Sequence, residues 1–75
     1  MDYKASLNKT KTGLKIYQAI GKAGLTYEQV AEELGLMSPR VIYEWVNGRK
    51  MPSLIRLVNL SVLLNVHIEN LLQME

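Results

Sequence analysis

The segment from Leu25 to Val30 constrains the fold of this chain more than any other stretch. Thr26 and Gln29 have the spacing of a capping box, in which each side chain accepts a hydrogen bond from the other residue's backbone N–H. Leu25 and Val30 occupy the two positions of a hydrophobic staple, which fixes the direction in which the chain enters a helix. Gly35 can adopt the left-handed conformation that ends one. The segment therefore predicts a helix of about two turns that begins directly after Thr26.

Apolar residues recur at helical spacing in four further segments, and each segment has recognisable ends. Serine is a preferred N-cap and proline is favoured at the first helical position, so Ser38-Pro39 marks one helix start, and Ser53 after Pro52 marks another. The predicted segments run from about Thr12 to Gly24, from Tyr27 to Gly35, from Ser38 to Asn47, from Ser53 to Asn65 and from about Ile68 to Gln73. No alternating strand pattern and no repeat occurs. We predict an all-α fold of five short helices over residues 10–75, after a flexible N-terminal arm over residues 1–9.

Composition limits how such a chain can be stabilised and what chemistry it can carry. With 75 residues, 48% of them hydrophobic and no cysteine, one small domain must depend on packing and helix ends, without disulfides or thiolate metal sites. The lone His67 has no second histidine or cysteine beside it, and no nucleophile with a base or pair of carboxylates converges. We therefore expect no enzyme, no metal and no cofactor. No apolar run approaches the roughly 18 residues of a membrane span, and no signal-peptide block is present, so a cytoplasmic location is predicted.

The charges are unevenly distributed along the chain. The net charge is only +2, but residues 1–22 hold five Lys and one Asp, whereas residues 23–35 hold three Glu and no basic residue. Residues 36–50 hold two Arg and one Lys with a single Glu. Positive charge on both sides of an acidic helix is expected of a protein with one phosphate-facing side.

A combination of short motifs resembles one known family. The motifs are Gly24-Leu25-Thr26 before Val30-Ala31, Leu34-Gly35-Leu36, Trp45 with Asn47-Gly48-Arg49, Pro52-Ser53-Leu54, and Leu64-Asn65-Val66 before Ile68, Leu71 and Leu72. In this order and spacing, about residues 13–72 resemble the Cro/C1-type helix-turn-helix family, also called the XRE family. The resemblance implies a compact lambda-repressor-like domain without enzymatic activity. Helices 2 and 3 would form the helix-turn-helix unit, and helix 3 would enter the major groove of operator DNA.

The chain departs from the usual family pattern in three respects. The turn between helices 2 and 3 is one residue longer than the commonest pattern, since Gly35 and Gly48 are thirteen positions apart. Ile20 and Val46 stand where family members often have a buried Arg and Glu, and replacing both members of such a pair can be neutral or stabilising. The remaining departures are Tyr27 at the start of helix 2 and Pro39-Arg40 early in helix 3.

The resemblance implies two sets of DNA-contacting residues. Arg40 can donate two hydrogen bonds to O6 and N7 of guanine, and Val41 can pack against a thymine methyl. Glu44 can accept a hydrogen bond from N4 of cytosine or hold Arg40 in place. Alternatively, Arg40 and Glu44 are an ordinary solvated pair. Trp45 is predicted to lie in the core with Ile42 and Val46, the apolar stripe of helix 3, rather than on a base-stacking surface. The predicted base readers are Arg40, Val41, Tyr43 and Glu44. The predicted phosphate-binding residues are Thr26, Tyr27, Ser38, Asn47, Arg49 and Lys50.

These features predict a sequence-specific transcriptional regulator of bacterial or phage type, with double-stranded DNA as its partner and no small-molecule ligand or membrane contact. We expect a repressor that binds a palindromic operator. Surplus apolar residues in helices 4 and 5 indicate a possible homodimer surface, although they also suit a core. These residues are Ile55, Val62, Leu72 and Met74. The alternative is an antitoxin-like or protein-interaction module whose helix 4/5 surface binds a partner protein.

Overall fold

The computed structural model describes residues 7–74, which form five α-helices. The helices are α1 (Lys9–Ala23), α2 (Tyr27–Glu33), α3 (Arg40–Val46), α4 (Leu54–Leu64) and α5 (Ile68–Leu71). Within residues 7–74 the only β-pairing is an isolated antiparallel bridge between Leu7 and Met74. The predicted all-α architecture of five helices is confirmed.

The predicted capping box is present at the start of α2. The Thr26 hydroxyl accepts a hydrogen bond from the backbone N–H of Gln29 at 3.1 Å, and the Gln29 side-chain oxygen accepts one from the N–H of Thr26 at 2.8 Å. Val30 is fully buried, and Leu25 packs against the same apolar core. The direction of α2 is therefore set by residues that are local in sequence.

Four helices end in the same way, at the positions that the sequence predicted. Gly24, Gly35, Gly48 and Asn65 have left-handed backbones with φ between 55° and 73°. In each case the next N–H donates to a carbonyl five residues earlier, as in the Schellman motif. These bonds are Leu25 to Ile20, Leu36 to Ala31, Arg49 to Glu44 and Val66 to Ser61.

The starts of α1 and α3 differ from the prediction. α1 begins at Lys9 rather than near Thr12, because the Asn8 side chain caps it by accepting a hydrogen bond from the Lys11 N–H at 2.9 Å. α3 begins at Arg40, one residue after the predicted first position. Pro39 is its N-cap residue, and the Ser38 hydroxyl accepts a hydrogen bond from the Arg40 N–H at 3.4 Å.

The end of α5 also differs, and it is tied to the start of α1. α5 ends at Leu71 rather than Gln73. The Gln73 N–H donates to the fully buried hydroxyl of Thr12 at 3.0 Å, while the Gln73 carbonyl accepts from the Asn8 N–H at 2.8 Å. Of the arm predicted over residues 1–9, residues 1–6 lie outside the described part, and Asn8 is held by these bonds.

The core holds α3 against α1. A Cβ atom built on Gly13 of α1 would overlap the carbonyl oxygen of Trp45, so the two backbones are nearly in contact. Ile42 and Trp45 are buried, as predicted, whereas Val46 is half-buried at the core's edge. The other buried apolar residues are Ile16, Ala19, Ile20, Val30, Ala31, Leu34, Leu57, Leu60, Leu64 and Leu71. This packing fixes one side of α3 and leaves its other side free.

Candidate nucleic-acid interface

The four predicted base readers do not share one environment. Arg40 is exposed at the start of α3, and Tyr43 is 48% exposed. Val41 is half-buried and packs against the core, while only 23% of the Glu44 side chain is exposed. The side chains of α3 that are accessible to a ligand are therefore chiefly Arg40 and Tyr43. Val41 and Glu44 are less exposed.

The partner of Glu44 is a lysine beyond the helix rather than Arg40. The Lys50 Nζ lies 3.6 Å from the Glu44 Oε2, and no ion pair joins Arg40 to Glu44 in the described part of the chain. The backbone N–H groups of Arg49 and Lys50 also donate to the Glu44 carbonyl, at 2.9 and 3.3 Å. These contacts hold the turn after α3 in a defined conformation and leave the Arg40 guanidinium available.

The turn from Asn47 to Lys50 carries three of the predicted phosphate-binding residues, Asn47, Arg49 and Lys50, and all are exposed. A Cβ atom on Gly48 would lie 3.1 Å from the Thr10 Cα, so the start of α1 runs directly beside this turn. The neighbouring residues Lys9 and Lys11 are exposed there. Folding thus brings the two basic stretches of the sequence next to each other in one positive surface, which consists of the turn over residues 47–50 and the exposed start of α1.

The remaining predicted phosphate-binding residues lie at the starts of α2 and α3. Thr26 and Ser38 are exposed, but each hydroxyl already accepts a hydrogen bond from its own helix. Tyr27 is half-buried at the first position of α2. Thr26 therefore acts first as the N-cap of α2, and the Ser38 hydroxyl accepts a hydrogen bond at the start of α3, so each hydroxyl already has a partner within the protein.

Tyr27 of α2 contacts Tyr43 of α3, and Tyr17 of α1 lies near Tyr27. The Tyr27 and Tyr43 ring centroids are 4.6 Å apart with an interplanar angle of 75°, an edge-to-face contact. Burial raises the pKa of Tyr27, and the phenol groups of Tyr17 and Tyr43 raise it further. The position of Tyr17 beside Tyr27 was not predicted from the sequence, since a single tyrosine on α1 forms no recognisable pattern.

An open depression of about 550 Å³ adjoins these tyrosines between α1 and the start of α2. Tyr17, Lys22, Leu25 and Tyr27 are among the residues that line it. Within residues 7–74, no group of three or more His, Asp or Glu side chains is placed to hold a metal ion. None of the helices described is both long and apolar enough to cross a membrane.

Three solved structures of regulators or DNA-binding domains share this fold. The restriction-modification controller protein C.AhdI from Aeromonas hydrophila aligns with a TM-score of 0.77 and 22% identity, over 85% of this chain and 91% of that one. The clp gene regulator ClgR from Corynebacterium glutamicum aligns with a TM-score of 0.79 and 23% identity, over 88% and 69%. The DNA-binding domain of BldD aligns with a TM-score of 0.74 and 21% identity, over 87% and 93%. At these identities the likeness concerns the fold.

Family membership rests on the sequence itself. No curated protein is similar enough in sequence to match the chain. The family model described as helix-turn-helix matches residues 16–71, which include α2, α3 and most of the core. The chain therefore belongs to the Cro/C1-type (XRE) helix-turn-helix family, a family of DNA-binding transcription regulators.

Proposed function

We propose that this protein is a sequence-specific DNA-binding regulator that inserts α3 into the major groove. The observation that carries the proposal is the division of α3 into two sides. Ile42 and Trp45 are buried against the core, while Arg40 and Tyr43 are exposed on the opposite side. An anchored helix with an exposed polar side is what major-groove reading requires.

The base readers in this proposal are Arg40, Val41, Tyr43 and Glu44. Arg40 takes the central role, because its guanidinium has no carboxylate partner among the described residues and can donate two parallel hydrogen bonds to guanine. Glu44, held by Lys50, lines the edge of the same surface. Discrimination at one base pair by such a bidentate contact is worth about 1–3 kcal/mol.

Phosphate contacts come from both ends of α3 and from the start of α2. The positive surface formed by the turn after α3 and the start of α1 supports this role, since phosphate neutralisation supplies much of the affinity for DNA. The proposed contact residues are Thr26, Tyr27, Ser38, Asn47, Arg49 and Lys50. Such contacts position α3 without reading sequence.

The proposed assembly is a homodimer that represses transcription by occupying a palindromic operator in the cytoplasm. α4 exposes an apolar stripe made of Leu54, Ile55, Val58 and Val62, whose exposed fractions range from 40% to 75%. Met74 adds a further exposed apolar side chain, whereas Leu72 packs against the core. A dimer formed on this stripe would place its two α3 helices on half-sites about 34–36 Å apart.

A partner protein is the alternative occupant of the α4 stripe. Apolar residues this exposed often mark an interface, and they fit an antitoxin-like or protein-interaction module as well as a dimer. In that case the chain alone would remain a monomer, and the partner would control DNA binding.

Two measurements test the proposed function. Binding to a random duplex is followed over a salt series, and log Kd is expected to change steeply with log salt because counterions are released. A duplex pool with a randomised segment is then selected for binding, and a two-fold symmetric consensus is expected. No binding at low salt would reject the DNA-binding role altogether.

The dimer is tested by sedimentation of the wild type and of Val62→Asp. Val62 is 75% exposed, so the aspartate is not expected to disturb the core. Asn59→Asp, an exposed substitution of the same charge on the same helix, is the matched control. A wild-type dimer that Val62→Asp alone dissociates supports the proposal. A wild-type monomer that selects single half-sites contradicts it and favours the partner-protein alternative.

A further inference from the structure

The contact between Tyr27 and Tyr43 joins the two helices of the helix-turn-helix unit. Tyr27 is half-buried and packs against the core, whereas Tyr43 lies 48% exposed on the free side of α3. Their centroids are 4.6 Å apart at an interplanar angle of 75°. A ring fixed by the core therefore touches the ring that faces the ligand.

A half-exposed tyrosine on a surface helix is ordinarily free to change rotamer. Fixing such a side chain on binding costs entropy, so a side chain held beforehand in the bound orientation binds more tightly. Edge-to-face contact between two aromatic rings has a preferred geometry, and it adds to what burial alone provides. The contact thus restricts Tyr43 before any DNA is present.

The surroundings of Tyr27 suit this supporting role. Its ring packs against the core, and burial is the largest cause that raises the pKa of its hydroxyl, ahead of the nearby phenols of Tyr17 and Tyr43. Its backbone lies next to the capping box, where both Thr26 bonds fix the start of α2. The Tyr27 ring is therefore held by the core, and its backbone is held by the capping box.

We propose that Tyr27 is a positioning residue for sequence recognition, which holds the Tyr43 ring in its base-reading orientation and thereby makes α2 contribute to specificity. This inference rests on the proposed function, since it requires that α3 reads DNA. It gives Tyr27 a role that is distinct from a phosphate contact, because the ring rather than the hydroxyl carries it.

The test compares Tyr27→Phe, Tyr27→Leu, Tyr43→Ala and the double variant Tyr27→Leu/Tyr43→Ala with the wild type. Each protein is titrated against the consensus duplex selected by the wild type and against a random duplex of equal length. The measured quantity is the Kd for the random duplex divided by the Kd for the consensus duplex, a ratio that reports specificity. The salt dependence of binding to the random duplex is measured as well. Thermal unfolding is followed for every variant.

Tyr27→Phe removes the hydroxyl proposed as a phosphate contact, so it should weaken binding to both duplexes alike, but it should keep the wild-type ratio because it keeps the ring. Tyr27→Leu should lower the ratio about two- to tenfold, the range expected for an aromatic pair, while leaving the salt slope unchanged. In the Tyr43→Ala background, Tyr27→Leu should have no further effect on the ratio. A double-mutant cycle of this kind isolates the coupling between the two rings.

Two results would overturn the inference. The first is an unchanged ratio in Tyr27→Leu, and if Tyr27→Phe and Tyr27→Leu then show the same loss on both duplexes, the hydroxyl is a phosphate contact only. The second is the same loss of the ratio with and without Tyr43. In both cases the wild type still binds DNA, whereas failure of the proposed function would abolish wild-type binding itself.

A measurement on free protein covers the case in which Tyr27→Leu does not fold. In an NMR spectrum of the wild type, ring protons of the pair are expected to show ring-current shifts, because an edge-to-face contact places the edge of one ring over the face of the other. Tyr43→Ala removes a half-exposed side chain and should fold, and it should change the shifts of the Tyr27 ring protons by removing this contribution. Unshifted ring protons in the wild type would show that the contact does not persist in solution.

Discussion

Arg56 on α4 donates a hydrogen bond from its Nη1 to the carbonyl oxygen of Leu34, at the end of α2, over a distance of 2.7 Å. The two residues are 22 positions apart, so the bond joins α4 to the helix-turn-helix unit across the chain. α2 has no basic residue in its own last turn. Arg56 thus supplies from another helix the positive charge that favours a helix C-terminus.

Replacing Arg56 with methionine should therefore lower stability. The substitution keeps much of the apolar stem but removes the charged donor, and a hydrogen bond from a charged group is worth about 1.5–3 kcal/mol. We expect a loss of about 1–2 kcal/mol, because Arg56 is partly exposed. In a domain of this size such a loss lowers Tm by about 4–8 °C per kcal/mol.

Arg49→Met is the control for this measurement. Arg49 is exposed, and its side chain makes no hydrogen bond within residues 7–74, so its removal should change stability by less than about 0.5 kcal/mol. Equal thermal unfolding of the two variants would mean that the bond to Leu34 contributes nothing.

Two glycines of α1 should respond in opposite directions to alanine. At Gly13 the added methyl would overlap the Trp45 carbonyl and force α1 away from α3, which should cost on the order of 1–3 kcal/mol. At Gly21 a methyl would meet nothing within 4 Å, so Gly21→Ala should stabilise the helix by about 0.5–1 kcal/mol. Urea unfolding of both variants checks the pair. Stabilisation by Gly13→Ala would contradict the close approach of the two helices.

Features that depend on neighbouring residues were predictable from the sequence. The capping box at Thr26 and the left-handed ends at Gly24 and Asn65 form where they were predicted, because their hydrogen bonds close within six residues. The start of α1 was misplaced, although Asn8 is a favourable N-cap. No apolar residue marks the first turn of α1, and the prediction followed the apolar pattern.

Contacts between distant residues could not be obtained in this way. Glu44 pairs with Lys50 rather than with Arg40, because the left-handed turn at Gly48 brings the lysine back towards α3. The pairing of Tyr27 with Tyr43 likewise depends on the angle between α2 and α3. Periodicity gives the face of a helix on which a residue lies, but not which residue of another helix meets it.

Arg40→Ala is expected to reduce discrimination rather than overall affinity. If Arg40 reads guanine, the variant should lose about 1–3 kcal/mol of binding free energy on the selected duplex and little on a random one. Arg49→Ala removes the same charge from the turn after α3, and it should weaken binding to both duplexes by similar amounts. The check is a titration of each protein against both duplexes at one salt concentration. Equal losses on the two duplexes in Arg40→Ala would remove Arg40 from base reading.

Lys50→Ala should weaken binding to random duplex DNA and lower its salt dependence by about one unit of slope, because one phosphate contact is lost. The loss should not come from unfolding. The Lys50 side chain is 66% exposed, and an ion pair as exposed as this contributes about 0–1 kcal/mol to stability. Glu44→Gln, measured on the same random duplex where base reading does not contribute, is the matched control, since it breaks the same pair but leaves the lysine charge in place. Binding that falls equally in both variants would show that the ion pair, rather than the charge of Lys50, supports the contact with DNA.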